Sequence, residues 1–237
     1  MKFSAVAFDL DGTLYPAYRL NYRLIPFLIK KQRLVRAMGR ARSQLRKADC
    51  DSGGASAAAE GDFYELQAQI MGEVLGRPLE EVREETERLI YRGWEPAFKK
   101  IGLFPHVKET LDIFRSEGIP LGLLSDFPPE IKLENLGIAG YWETVICSEA
   151  TGRLKPDPEP FLELARCMGM PAEKILYVGN SVSYDVAGAH RAGMKAALIK
   201  TRFIQPGWTS RLAKNDAART PDFVFNDYRQ LSKYVLN

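Results

Sequence analysis

The stretch Val6 to Leu14, V-A-F-D-L-D-G-T-L, constrains this chain more than any other. Ala5 to Phe8 is a short apolar run, the pattern of a buried strand. It stops at Asp9 and Asp11, and Gly12 and Thr13 then break it. Side chains alternate along a strand, so carboxylates two residues apart turn toward the same site. The C-terminal end of a strand is where open parallel sheets bind their ligands. Paired carboxylates offer oxygen donors to a hard cation such as magnesium. They also let one acid attack while the other moves protons. The competing reading is an acidic turn after an edge strand.

After Leu14 the pattern changes. No strand is expected from Tyr15 to about Lys100. Leu20, Leu24, Phe27 and Leu28 recur at helical spacing, and Val35 and Met38 continue the series. Pro26 is expected to break or kink that segment, or to open a second helix. Ser52 to Ala59, S-G-G-A-S-A-A-A, is expected to be a flexible loop. Phe63, Leu66, Gln67, Ile70, Met71 and Val74 form the next helical stripe, ending near Gly76. Pro78 suits the first position of a further helix, with Glu80 and Glu81 in its first turn. These residues predict a small helical bundle inserted between two strands.

From Phe104 onward, helices and strands alternate. Strands are expected at Pro120–Leu124, Thr144–Cys147, Lys174–Val178, Ala196–Ile199 and Phe223–Phe225. Helices are expected at His106–Glu117, Glu130–Leu136, Glu159–Met168 and Asp185–Ala192. Such alternation argues for an α/β fold with a doubly wound parallel sheet and helices on both faces. Three strand ends carry further polar groups. Ser125-Asp126 follows L-G-L-L, and a small hydroxyl there can donate to a phosphate oxygen; taken alone, a strand-ending serine is better explained by turn chemistry. Lys155 stands in G-R-L-K-P-D-P, where Pro156 and Pro158 restrict the loop from which its side chain starts. V-G-N-S-V-S-Y-D-V, Val178 to Val186, places Asn180 and Asp185 after the fourth strand. Asp185 also suits the N-cap of the following helix.

In order and context, D-L-D-G-T-L, the Ser125 strand end, K-P-D-P and the Asn180–Asp185 segment resemble the four motifs of the haloacid dehalogenase-like hydrolase superfamily. The likeness runs from Phe3 to about Tyr234. Most members of that family are magnesium-dependent phosphatases that form an aspartyl-phosphate. The resemblance implies a Rossmann-like core at residues 1–14 and 104–237, with a helical cap at 15–103. It implies that Asp9 attacks phosphorus and that Asp11 is the general acid and base. Ser125 and Lys155 would hold the phosphate, with Asp126 beside them, where many relatives have Asn. Magnesium would be held by Asp9, Asp11 (through its backbone carbonyl) and the fourth motif. That motif usually shows Gly-Asp and then a second Asp, whereas this chain has Asn180 and Asp185. An Asn carbonyl can ligate magnesium but brings no charge. Phosphomutases share every core residue, and dehalogenases attack carbon with the same Asp but need neither the second acid nor the metal.

Composition bounds the remaining readings. The chain has 237 residues and a net charge of +3, which does not by itself point to nucleic acid. No run approaches the roughly 18 apolar residues of a membrane span. Asp9 arrives before any signal-peptide core could form. Cys50, Cys147 and Cys167 match neither a disulfide framework nor a zinc site, which fits a reducing cytoplasm. From Arg19 to Lys47 there are ten basic residues and no acid. They read first as a solvated helical face, and alternatively as a field for an anionic substrate or for a non-catalytic anion-binding role. Arg19 and Arg23, nearest the first motif, are the candidate substrate contacts. The expected substrate is a small-molecule phosphate ester.

Overall fold

The computed structural model describes residues 2–51, 63–200 and 217–237. Six strands form one parallel sheet: β1 (Ala5–Phe8), β2 (Leu121–Ser125), β3 (Thr144–Cys147), β4 (Ile175–Gly179), β5 (Lys195–Ile199) and β6 (Phe223–Phe225). Their order is β3-β2-β1-β4-β5-β6. β1 is therefore central, beside β4, and all four of its residues are buried. A parallel strand covered on both faces needs apolar residues at successive positions, which explains the unbroken A-V-A-F run.

The sheet's two faces carry separate cores. Val6, Phe8, Leu121, Leu123, Leu176, Val178, Ala197 and Ile199 pack against α6 (Val107–Ser116) and α10 (Tyr228–Leu236). The alternate residues Ala5, Ala7, Leu124, Ile175, Tyr177, Ala196 and Leu198 pack against α8 (Glu159–Cys167) and α9 (Ala187–Arg191). α7 (Glu130–Asn135) follows β2. α10 had no counterpart among the sequence expectations.

Between β1 and α6 lie α1 (Ala17–Lys30), α2 (Gln32–Asp51), α3 (Phe63–Leu75), α4 (Leu79–Thr86) and α5 (Glu95–Phe98). A π-helical turn at Glu87–Tyr91 extends α4. Leu34, Ala37, Met38, Ala41, Met71, Val82 and Ile90 give these helices a core of their own. Pro26 neither breaks α1 nor starts a helix; it lies inside α1. Pro26 and Tyr22 are both exposed, so the carbonyl deprived of its intrahelical donor is open to water. Pro78 precedes α4 rather than occupying its first position. The expected loop at Ser52–Ala59 falls outside the described residues. Among the described residues, no helix is long and apolar enough to cross a membrane.

Candidate active site

The parallel register carries several motifs to one edge of the sheet. Phe8 lies opposite Val178, and the Asp9 N–H donates to the Val178 carbonyl at 2.9 Å. The next residues of both strands, Asp9 and the Gly179-Asn180 turn, thus meet where β1 and β4 end. The chain then turns tightly: Leu14 N–H donates to Leu10 O at 3.1 Å, and Thr13 Oγ1 donates to Asp9 Oδ2 at 2.7 Å. The buried Tyr228 of α10 secures the turn by donating to Thr13 O at 2.6 Å. Gly12 has φ +90°, and a Cβ there would collide with the Asn180 side-chain amide.

Lys155 reaches this point from the loop after β3. Its ammonium lies 2.6 Å from Asp9 Oδ1 and 2.9 Å from Asp185 Oδ1, and donates to the Tyr177 hydroxyl at 3.3 Å. Asp185 Oδ2 accepts from the N–H groups of Asn180 and Ser181 at 3.1 and 2.9 Å. This carboxylate therefore fixes both the turn after β4 and the lysine. It lies in a π-helical turn, Val182–Val186, which Ser181 caps by accepting from Tyr184 N–H. Asp185 is thus not the helix N-cap.

Asp126, after β2, sits beneath the same lysine. Its Oδ1 accepts from Lys155 N–H at 3.3 Å, and its Oδ2 from Arg46 at 2.8 Å. Ser125 is fully buried at the end of β2, where its hydroxyl accepts from Phe127 N–H at 3.3 Å; it does not line the cavity. Arg19 and Arg23 are exposed on α1 and also stand outside the cavity. The basic segment contributes Arg42 and Arg46 instead. Arg46 Nε donates to Lys155 O at 2.9 Å, and its guanidinium lies over the Tyr184 ring. The buried Arg42 pairs with Glu149, stacks on Phe127 at 4.1 Å and donates to Asp126 O at 3.3 Å. This part of the segment is not a solvated face.

Sequence reasoning also missed Lys132 of α7. Its side chain is almost wholly buried, and its ammonium holds both oxygens of Asp11, at 2.9 and 2.6 Å. The Tyr15 hydroxyl donates to Asp11 Oδ1 from the other side. Ile131 and Leu133, the apolar neighbours of Lys132, were the one hint in the sequence, and they do not show that a lysine between them is buried.

Asp9, Asp11, Asp126, Lys132, Lys155, Arg46, Asn180 and Asp185 all line one cavity of about 370 Å³. These groups bring one more carboxylate than cation. Burial pushes the Asp9 carboxyl up to about 7 despite the opposing pull of Lys155, and Asp185 adds to the rise. Burial also acts to raise Asp126, but Lys155, Arg42 and Arg46 outweigh it and hold that carboxyl below the usual range. Among the described residues, no three His, Cys, Asp or Glu side chains converge to hold a metal by themselves. Two carboxylates, an amide carbonyl and a backbone carbonyl nevertheless fit magnesium, which keeps several waters and takes few protein ligands. The surplus of one carboxylate across these groups favours such a cation.

A family model described as haloacid dehalogenase-like hydrolase matches residues 3–193. The chain belongs to the haloacid dehalogenase-like hydrolase family. It is an enzyme of the hydrolase class. Among curated relatives of this hydrolase, ribulose-1,5-bisphosphate 5-phosphatase of Halopiger xanaduensis is 28% identical over 83% of this chain and 84% of its own. Glyceraldehyde 3-phosphate phosphatase of Methanopyrus kandleri is 28% identical over 98% and 96%. Among solved structures, 2-haloacid dehalogenase of Pseudomonas syringae superposes with TM-score 0.63 at 26% identity, covering 99% of this chain and 98% of that one. A phosphatase of this superfamily from Thermococcus onnurineus superposes with TM-score 0.62 at 23% identity, covering 98% and 97%, and shares the fold.

Proposed function

We propose that this hydrolase cleaves small phosphate monoesters through an aspartyl-phosphate, with magnesium as cofactor. The observation that carries the reading is the buried Asp9–Lys155–Asp185 cluster, with a second carboxylate, Asp11, held at the same cavity. The phosphatase names of relatives spanning most of the chain support it.

Asp9 attacks phosphorus with one carboxylate oxygen as the bond to the ester oxygen breaks. Asp11 gives its proton to the departing alkoxide. Water then attacks the same phosphorus, Asp11 takes its proton, and the bond to Asp9 breaks to release inorganic phosphate. Lys155 stabilises charge on the phosphoryl oxygens and keeps Asp9 aimed at the cavity. Lys132 and Tyr15 set the orientation of Asp11. Asp9, the Asp11 carbonyl, Asn180 and Asp185 would hold magnesium, which supplies positive charge opposite the phosphate. Asp126 and Ser125 shape the loop from which phosphate-binding N–H groups are drawn. Residues 15–103 act as a cap that excludes water and selects the leaving group.

A dehalogenase attack on carbon by Asp9 is the second reading, favoured by Asn180 in the fourth motif and by the dehalogenase neighbour. Asp11, which that reaction does not need, weighs against it. Release of inorganic phosphate from an ester panel, with magnesium or with chelator, tests the proposal. Magnesium-dependent release supports it, while halide release from 2-haloacids without phosphate release would replace it with the second reading.

A further inference from the structure

We infer that the leaving group of the substrate is uncharged and apolar, an aromatic or branched alkyl group, rather than a group bearing a second anion. The inference rests on the phosphatase reading above and concerns the apolar part of the cavity wall.

That part is formed by Leu20 of α1, Ile90 of the π-helical turn, Trp94, Phe98 of α5, and Phe127 and Ile131 after β2. The Trp94 and Phe127 rings lie 6.4 Å apart, tilted at 43°. Tyr91 also lines the cavity, but its hydroxyl is taken up by Glu149 at 3.0 Å and Gln67 at 3.1 Å. Its ring is what remains for a ligand.

Each lining cation among the described residues already holds a carboxylate: Arg46 holds Asp126, Lys132 holds Asp11, and Lys155 holds Asp9 and Asp185. The other charged lining residues, Glu95 and Glu130, are acidic and repel a carboxylate or a second phosphate. An aromatic or alkyl group would instead remove apolar surface from water and pack against the rings. The walls therefore differ in chemistry from what the bisphosphate name of one relative requires.

The test compares kcat/KM for benzyl phosphate with that for glycerol phosphate and for phosphoglycolate, all with magnesium. All three leaving groups are primary alcohols, so phenol-like reactivity does not bias the comparison. Binding of benzylphosphonate and of 2-carboxyethylphosphonate to the wild-type enzyme, read by calorimetry, is a second measurement that needs no turnover. The expected result is at least a tenfold preference for the benzyl compound in both. Ile131→Ser should shrink that preference several-fold. Ile131 is 38% exposed, so the substitution leaves the fold intact. Equal or reversed preference, with phosphate still released, would overturn the inference and leave the phosphatase reading standing. No release from any ester would overturn the phosphatase reading and the inference with it.

Discussion

Asp11 is gripped by Lys132 on both oxygens and by Tyr15 on one, so its geometry depends on residues outside every sequence motif. Lys132→Met is expected to lower kcat about 10–100-fold with KM little changed, because it disturbs proton transfer rather than binding. Lys132→Arg should recover part of the loss. Gly12→Ala forces a Cβ into the Asn180 amide at a positive φ. It is expected to weaken magnesium affinity roughly tenfold, in the range of lost supporting contacts, as read by metal titration of tryptophan fluorescence. Asp9 gives a pH signature in the metal-free protein. Between the ordinary carboxyl value of 3.8 and about 7, the folded state keeps a proton that the unfolded state has lost. Stability from this group therefore falls as pH rises through that window. Asp9→Asn cannot titrate, so its Tm should exceed that of wild type by a margin that grows from pH 4 to pH 7 in chelator. The positions of Asp9, Asp11, Asp126, Lys155, Asn180 and Asp185 were legible because each stands at or just beyond a strand end or beside a restrained loop. Lys132 was not, because a lysine's burial depends on what packs over it.

At the scale of elements, α2 is the tie between the helical segment and the sheet. Arg42 and Arg46 lie one turn apart and enter the groove beside Asp126. The Glu149 side chain, wholly buried, has Arg42 as its charge partner. Burial raises the Glu149 carboxyl even against the pull of that arginine. Removing one partner of such a pair leaves an uncompensated charge. Arg42→Met is expected to cost about 3–5 kcal/mol in urea unfolding, and Arg42→Met combined with Glu149→Leu should recover most of it. A double variant no more stable than the single would show that the pair is not the tie. The run from Arg19 to Lys47 gave no hint of this division, because α2 has basic residues on several faces and only tertiary contact distinguishes them. Pro26 misled for a related reason: it lies inside α1, where water can reach the carbonyl it strands.

For the whole molecule, the alternation of apolar runs and helical stripes was enough to give a parallel sheet with helices on both faces. α10 escaped notice, although its Tyr228 reaches under the first motif to hold Thr13. Convergence of the motifs follows from the register, since β1, β2 and β4 all end at the same edge of the sheet. The central claim is that Asp9 becomes covalently phosphorylated during turnover. The direct measurement is acid quenching of the enzyme with magnesium and an excess of a reactive phosphate ester, followed by the intact mass and a map of the modified peptide. The account predicts a chain heavier by one phosphoryl group, with the group on Asp9, and neither modification nor turnover in Asp9→Asn. Phosphate release that continues in Asp9→Asn, or a phosphoryl group carried on another residue, would contradict it.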